Sequence, residues 1–212
     1  MPMPMLTRVL GAAIALSLVS GCDKVFTLTP VELPIDAPLD SPPDAPTILA
    51  CDTNPIILRP TFVYQQSWAE QFPAGSSRAA TVADHAGPDD DASYIASQFD
   101  GQTDLYEHVP VASDLVVTSV SVWVRARIDA TQPTLATQVG AAFTIDGLFE
   151  WDDVSMTEAW GNYSSLRYVN NPKTGVAWTA ADVNRLVFGV RKAYVNHRVL
   201  VTQIWAEVAC EP

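Results

Sequence analysis

Two stretches carry the side chains best suited to grip a ligand. Trp123, Arg125 and Arg127 occupy alternate positions of one, and Gln203, Trp205 and Glu207 alternate positions of the other. Alternate residues of a strand share a face. If the two strands lie in one sheet, indole, guanidinium, amide and carboxylate groups meet on one surface. Indole faces stack on sugar rings, and Arg grips hydroxyls or carboxylates. The plainer alternative is a loop-covered face with cross-strand Arg–Glu pairs. Asp89, Asp90 and Asp91 are consecutive, with Asp84 and His85 upstream. Hard cations want several converging oxygens, so this turn is the one candidate for a structural calcium; no cofactor is otherwise expected. Neighbouring side chains of a strand point apart and the spacing is not that of an EF-hand, so a solvated acidic turn is the preferred reading. Glu150, Asp152 and Asp153 flank Trp151 and read as a loop between strands.

Catalytic constellations are harder to find. His85, His108 and His197 lie far apart, and no G-x-S-x-G, P-loop, dinucleotide fingerprint or CxxC occurs. Triads and carboxylate pairs assemble from distant positions, so a hydrolase stays as a third reading. It stands behind a non-enzymatic binding or assembly module and a carbohydrate-binding module. The 12 Lys and Arg against 24 Asp and Glu give a net charge of −12, which argues against nucleic acid as a partner. With 48% hydrophobic and 17% charged residues, the chain as a whole is not disordered. No apolar run approaches the roughly 18 residues of a spanning helix. Three Cys exclude a disulfide-dense miniprotein and a four-cysteine zinc site.

The elements that must position these groups are strands. In 115–128, the even positions Val116, Thr118, Val120, Val122, Val124, Ala126 and Ile128 form one face, predicted to be buried. In 199–208, Ile204, Ala206 and Val208 oppose Gln203, Trp205 and Glu207. In 185–191, Leu186, Phe188 and Val190 point inward. Weaker candidates are 56–64, 92–99, 103–109, 137–146 and 163–169. About eight strands at this spacing predict an all-β fold, a single sandwich. Thr179, with Asp182 three residues on, predicts one capped helical turn. Trp68, Trp160 and Trp178 read as core or loop anchors.

The N-terminus reads as an address. Arg8 precedes an apolar stretch from Val9 to Val19, followed by Ser20, Gly21 and Cys22, the pattern of an export signal. Val19-Ser20-Gly21-Cys22 resembles a bacterial lipobox. That resemblance implies cleavage of 1–21, lipidation of Cys22 and anchoring to a membrane, since several acyl chains on one residue hold stably. Residues 22–50 then form an extended linker. Pro30, Pro34, Pro38, Pro42 and Pro46 recur every four residues, and Glu32, Asp36, Asp40 and Asp44 close the tetrads. Such prolines exclude helix and central strand. With Cys22 lipidated, Cys51 and Cys210 remain, and an oxidising compartment favours pairing them. The bond would close a domain over residues 51–212.

The segment 171–190, NPKTGVAWTAADVNRLVFGV, followed by 201–208, VTQIWAEV, resembles a jelly-roll-like β-sandwich module of phage and prophage virion-associated proteins and of secreted bacterial proteins. PDDDASYI (88–95) and the 115–128 strand fit the same pattern. The resemblance covers about 120 residues, 88–208. It implies a fold and no catalytic residue. Members often carry Gly in the acidic turn where this chain has Asp90, so a different turn geometry is expected there. The partners it leaves open are a glycan or another surface protein.

Overall fold

The computed structural model describes residues 48–52, 54–84, 87, 89–129, 138–193 and 197–211. The export signal, Cys22, the Pro-rich linker and His85 lie outside them. The described chain is built from β1 (Ile56–Leu58), β2 (Pro60–Gln65), β3 (Glu70–Phe72), α1 (Arg78–Ala83), β4 (Tyr94–Ser97), β5 (Thr103–His108), β6 (Val116–Ile128), β7 (Gln138–Ile145), β8 (Leu148–Ser155), β9 (Gly161–Ser164), α2 (Ala180–Val183), β10 (Val187–Lys192) and β11 (Val199–Glu211).

The named strands pair antiparallel in two sheets. One runs β3-β4-β11-β6-β9, with β1 also on β11; the other runs β2-β5-β10-β7-β8. The order β4-β11-β6-β9 against β5-β10-β7-β8 is that of an eight-stranded jelly roll, to which β1, β2 and β3 are additions. The fold is therefore an all-β sandwich. The two long strands, β6 and β11, pair along almost their whole length and supply one wall of the core. Val120, Val122 and Val124 of β6 and Ile204, Ala206 and Val208 of β11 lie in one buried cluster with Tyr106, Phe143, Ile145, Phe188 and Val190 of the other sheet. Branched side chains on a pleated surface give this packing its density.

Alternation in β6 breaks at its start. Ser119 pairs with Ala209 but Val117 pairs with Cys210, so Thr118 is an extra residue. A bulge of this kind exchanges the faces of what precedes it. Val117 is consequently buried and Val116 is 55% exposed, the reverse of the uniform even-numbered face expected from the sequence. A second shift at Thr202 in β11 lets Val199 and Val201 share the core with Ile204.

The acidic stretch around Trp151 is not a loop. It is β8, paired with β7 from Ile145↔Leu148 to Gln138↔Ser155. Asp146 (φ 47°) and Gly147 (φ 81°) make the tight turn between them, the Asp-Gly pair that such hairpins favour. The helical turn at α2 forms as expected. The Thr179 side chain accepts from the Asp182 amide, and the Asp182 carboxylate accepts from the Thr179 amide. Helix α1, with no apolar periodicity long enough to announce it, was not expected.

Cys51 and Cys210 are disulfide-bonded, with Cα atoms 6.1 Å apart and a sequence separation of 159. The bond ties the chain ahead of β1 to the end of β11. Leu49, just ahead of Cys51, forms a parallel bridge with Val111.

Candidate functional site

The register of β6 and β11 brings the sequence candidates onto one sheet face. Trp123 and Trp205 are direct cross-strand partners, and their rings stack 5.7 Å apart at 6°. The Arg59 guanidinium lies over Trp205, 5.5 Å from the ring centre. Burial lowers the pKa of Arg59, against the opposing pull of Asp84.

The acidic turn folds onto the same face. Arg125 donates from Nε and Nη2 to the two carboxylate oxygens of Asp90, at 2.6 and 2.9 Å. Such a bidentate pair is strong and directional, and it raises the Arg125 pKa. Arg127 Nη2 donates to Asp91 Oδ1 at 2.8 Å, and the same guanidinium lies 5.2 Å from the Trp160 ring centre. Asp89 Oδ1 accepts from Thr202 and Ser93 hydroxyls, at 3.0 and 2.9 Å. Asp90 takes a left-handed backbone (φ 49°), a conformation open to glycine and tolerated by Asp. Here the side chain that glycine lacks holds Arg125.

The proposed ligand grip and the proposed cation turn are thus each other's partners. The three aspartates reach outward to separate donors instead of converging. Among the described residues, no group of three or more His, Cys, Asp or Glu could hold a metal ion. Gln203 is 6% exposed and donates to the Asp84 carbonyl at 3.2 Å; Trp205 is 9% exposed and donates to Glu207 Oε1 at 3.2 Å. Strand alternation places both outward, but Arg59, Asp84, Asp90 and Asp91 pack against that end of the face.

The other end stays open. A groove of about 650 Å³ runs beside Trp123, with Ser121, Ser164, Leu166, Arg167 and Glu207 on its walls. Ser164 of β9 is the cross-strand neighbour of Trp123. Arg167 Nε donates to Ser119 Oγ at 2.8 Å, which fixes the guanidinium over the groove. The segment that carries it is held by Asp152, whose Oδ2 accepts from the Leu166 amide (2.8 Å) and the Tyr168 hydroxyl (2.9 Å). Burial, then that hydrogen bond, raises the Tyr168 pKa. An indole wall, two serine hydroxyls, a carboxylate and a guanidinium suit a ligand that offers ring faces and hydroxyls. Sequence reasoning supplied Trp123 and Glu207 and missed Arg167 and the serines. Arg167 projects from an irregular segment after a four-residue strand, where no periodicity marks orientation.

His108 is held by backbone. Its ring nitrogens lie 2.7 Å from the Val109 carbonyl and 3.1 Å from the Val183 carbonyl, and it packs on Phe188. No protein-family model matches the chain, and no curated protein matches it.

Proposed function

We propose that this chain is an exported, lipid-anchored protein whose jelly roll acts as a non-enzymatic binding or assembly module outside the cell membrane. The tether reading rests on the lipobox-like Val19–Cys22 and the proline beat that follows. On this reading the acyl group on Cys22 is the attachment; among the described residues no helix is long and apolar enough to cross a membrane. The acidic balance of the chain, −12, works against adhesion to anionic headgroups. The resemblance to sandwich modules of virion-associated and secreted proteins agrees with a part that binds or assembles. Replacing Cys22 with Ala and fractionating the cells tests the anchor: the protein should leave the membrane fraction. Undiminished membrane association would count against it.

A second, sharper reading is a carbohydrate-binding module, favoured by one observation: the open groove beside Trp123 that combines an indole with Ser121, Ser164, Arg167 and Glu207. A glycan array tests it. Binding should be lost in Trp123→Ala, which also gives up the stack on Trp205 and so is compared with Arg167→Ala, a variant that removes a groove side chain without touching that stack. An array with no hit would leave the assembly role. Turnover in an esterase and glycosidase screen would contradict both readings.

A further inference from the structure

The opposite sheet carries a second surface. Its register sets outward-facing residues in rows that cross all five strands. In one row Leu105 pairs with Gly189, Gly189 with Ala142 and Ala142 with Trp151. Tyr64 stands at the far end, in the irregularity between Val63↔Tyr106 and Gln65↔Leu105. In the adjoining row Phe62 pairs with Glu107, Val187 with Thr144 and Thr144 with Phe149. Both rows therefore end in aromatic residues at each edge of the sheet. Between the edges Leu105, Gly189 and Ala142 of the first row are buried, and Glu107, Val187 and Thr144 of the second are accessible. Phe62 and Tyr64 are 69% and 57% exposed, and Trp151 is 40% exposed. Four inter-strand steps separate the two edges, about 19 Å. Cavities of about 500 and 260 Å³ lie in this trough and share Tyr64 and Thr144 as lining.

The floor is low for a physical reason. A Cβ on Gly189 would stand 1.9 Å from the Asp104 carbonyl oxygen, so only glycine fits there. The aromatic walls are also braced. The Arg191 guanidinium lies 4.3 Å from the Trp151 ring centre and 3.7 Å from Asp153, and Phe149 packs on Trp151 at 5.3 Å.

Charge selects the occupant. Arg185 is engaged by Asp146 (3.2 Å) and Asp182 (2.8 Å), and Arg191 by Asp153 and the indole. Glu107 enters no ion pair among those described, so its carboxylate and that of Asp146 face the trough as acceptors. Anionic polymers and anionic lipid surfaces meet repulsion here. A polymer of uncharged rings with hydroxyl donors meets aromatic faces at the walls and carboxylate acceptors at one end.

We propose that the outer face of the five-stranded sheet is a binding trough for a neutral polysaccharide chain, held between Tyr64 on one edge and Phe149, with Trp151 packed on it, on the other. This is a site separate from the Trp123 groove and does not depend on it. Affinity gel electrophoresis of the exported protein tests it, with hydroxyethylcellulose, xylan and laminarin as neutral probes and polygalacturonate as the anionic one. At least one neutral polymer should retard the protein, and polygalacturonate should not. Tyr64→Ala and Trp151→Ala should each weaken retardation roughly tenfold or more, with Trp151→Phe restoring much of it. Val116→Ser, an exposed position on the other sheet, should leave it unchanged. Tyr64 is exposed, so the unfolding midpoint of Tyr64→Ala should match wild type, and Trp151→Ala, which gives up contacts with Phe149 and Arg191, should still be folded at the assay temperature. The proposal is overturned by absence of retardation in all three neutral gels, by retardation in polygalacturonate alone, or by loss in Trp123→Ala with Tyr64→Ala unaffected. A dimer in solution that Tyr64→Ala dissociates would equally overturn it, since a second copy would then cover the trough.

Discussion

Asp104 offers the sharpest test of how the fold is held. Its side chain is fully buried on β5. Oδ1 accepts from the amides of Ser67 (2.7 Å) and Trp68 (2.9 Å), and Oδ2 accepts from Arg78 Nη1 (2.9 Å) and the Tyr106 hydroxyl (3.4 Å). One carboxylate thus pins the β2–β3 connection and α1 to the five-stranded sheet. Gln66, with its amide turned to satisfy both groups, takes Arg78 Nε and Nη2 at 3.3 and 3.1 Å. Replacing Asp104 with Ala leaves a guanidinium 7% exposed without its counter-ion and orphans two backbone amides. Breaking a buried pair from one side costs about 3–5 kcal/mol, and each orphaned amide adds about 1–3, less than additively. The expected loss is about 5 kcal/mol, a large share of a domain's roughly 5–15. Asp104→Asn keeps one acceptor for the amides and should lose about 2–3 kcal/mol by the same reckoning. The assay is urea unfolding with the disulfide intact, read as a midpoint shift at constant slope. In a double-mutant cycle with Arg78→Met, coupling of about 2 kcal/mol or more is expected. A loss below about 1 kcal/mol in Asp104→Ala, or additive effects in the cycle, would refute the reasoning.

Other outcomes follow from the same structure. Replacing Cys51 and Cys210 with Ser should lower stability by up to about 5 kcal/mol on the chain-entropy model for a loop of this separation, measured by denaturant unfolding; an unchanged midpoint would contradict it. Gly189→Ala should not yield folded protein by circular dichroism, because its Cβ would overlap the Asp104 carbonyl. Burial, then Asp104, holds the Tyr106 phenol well above its usual pKa. The neutral form is the one the fold favours, so this stabilisation is whole below about pH 10 and fades as pH rises above it. In an absorbance titration, Tyr106 and Tyr168 should ionise only as the protein unfolds. At Asp182 burial pushes the pKa up, but hydrogen bonds from Thr179 and Asn171 and the charge of Arg185 outweigh it and leave it lowered. That contribution is present above the ordinary carboxylate range and is lost as pH falls through the lowered value. Thr179→Ala should cost about 1 kcal/mol at neutral pH and flatten the acid limb of the stability profile.

Much of the body was legible in the residues, for identifiable reasons. The run Val120–Ile128 alternates so cleanly that strand and buried face follow together, and Thr179-x-x-Asp182 carries its own cap. Periodicity failed where geometry is local. Nothing in Val117-Thr118-Ser119 marks a bulge, so the faces of Val116 and Val117 came out exchanged. The acids of β8 masked a strand whose outward side bears Trp151 and Asp153. The candidate face was legible as a juxtaposition but not as an exposure. Trp123 and Trp205 do stand side by side, yet what covers Trp205 and Gln203 comes from residues 59 and 84, far away in sequence. The same distance hid that Asp90 and Asp91 serve Arg125 and Arg127. The trough on the other sheet was invisible because its rows join five strands spread from Phe62 to Val187.

Tryptophan footprinting most directly tests whether the outer sheet faces are where this protein meets its partner. Oxidative labelling of the purified protein should modify Trp151 and Trp123 and spare Trp68, Trp178 and Trp205, which are 1%, 4% and 9% exposed. On a glycan or envelope fraction that retains the protein, labelling at Trp151 or Trp123 should fall. Retention with both indoles still fully labelled would place the contact elsewhere and contradict the assignment.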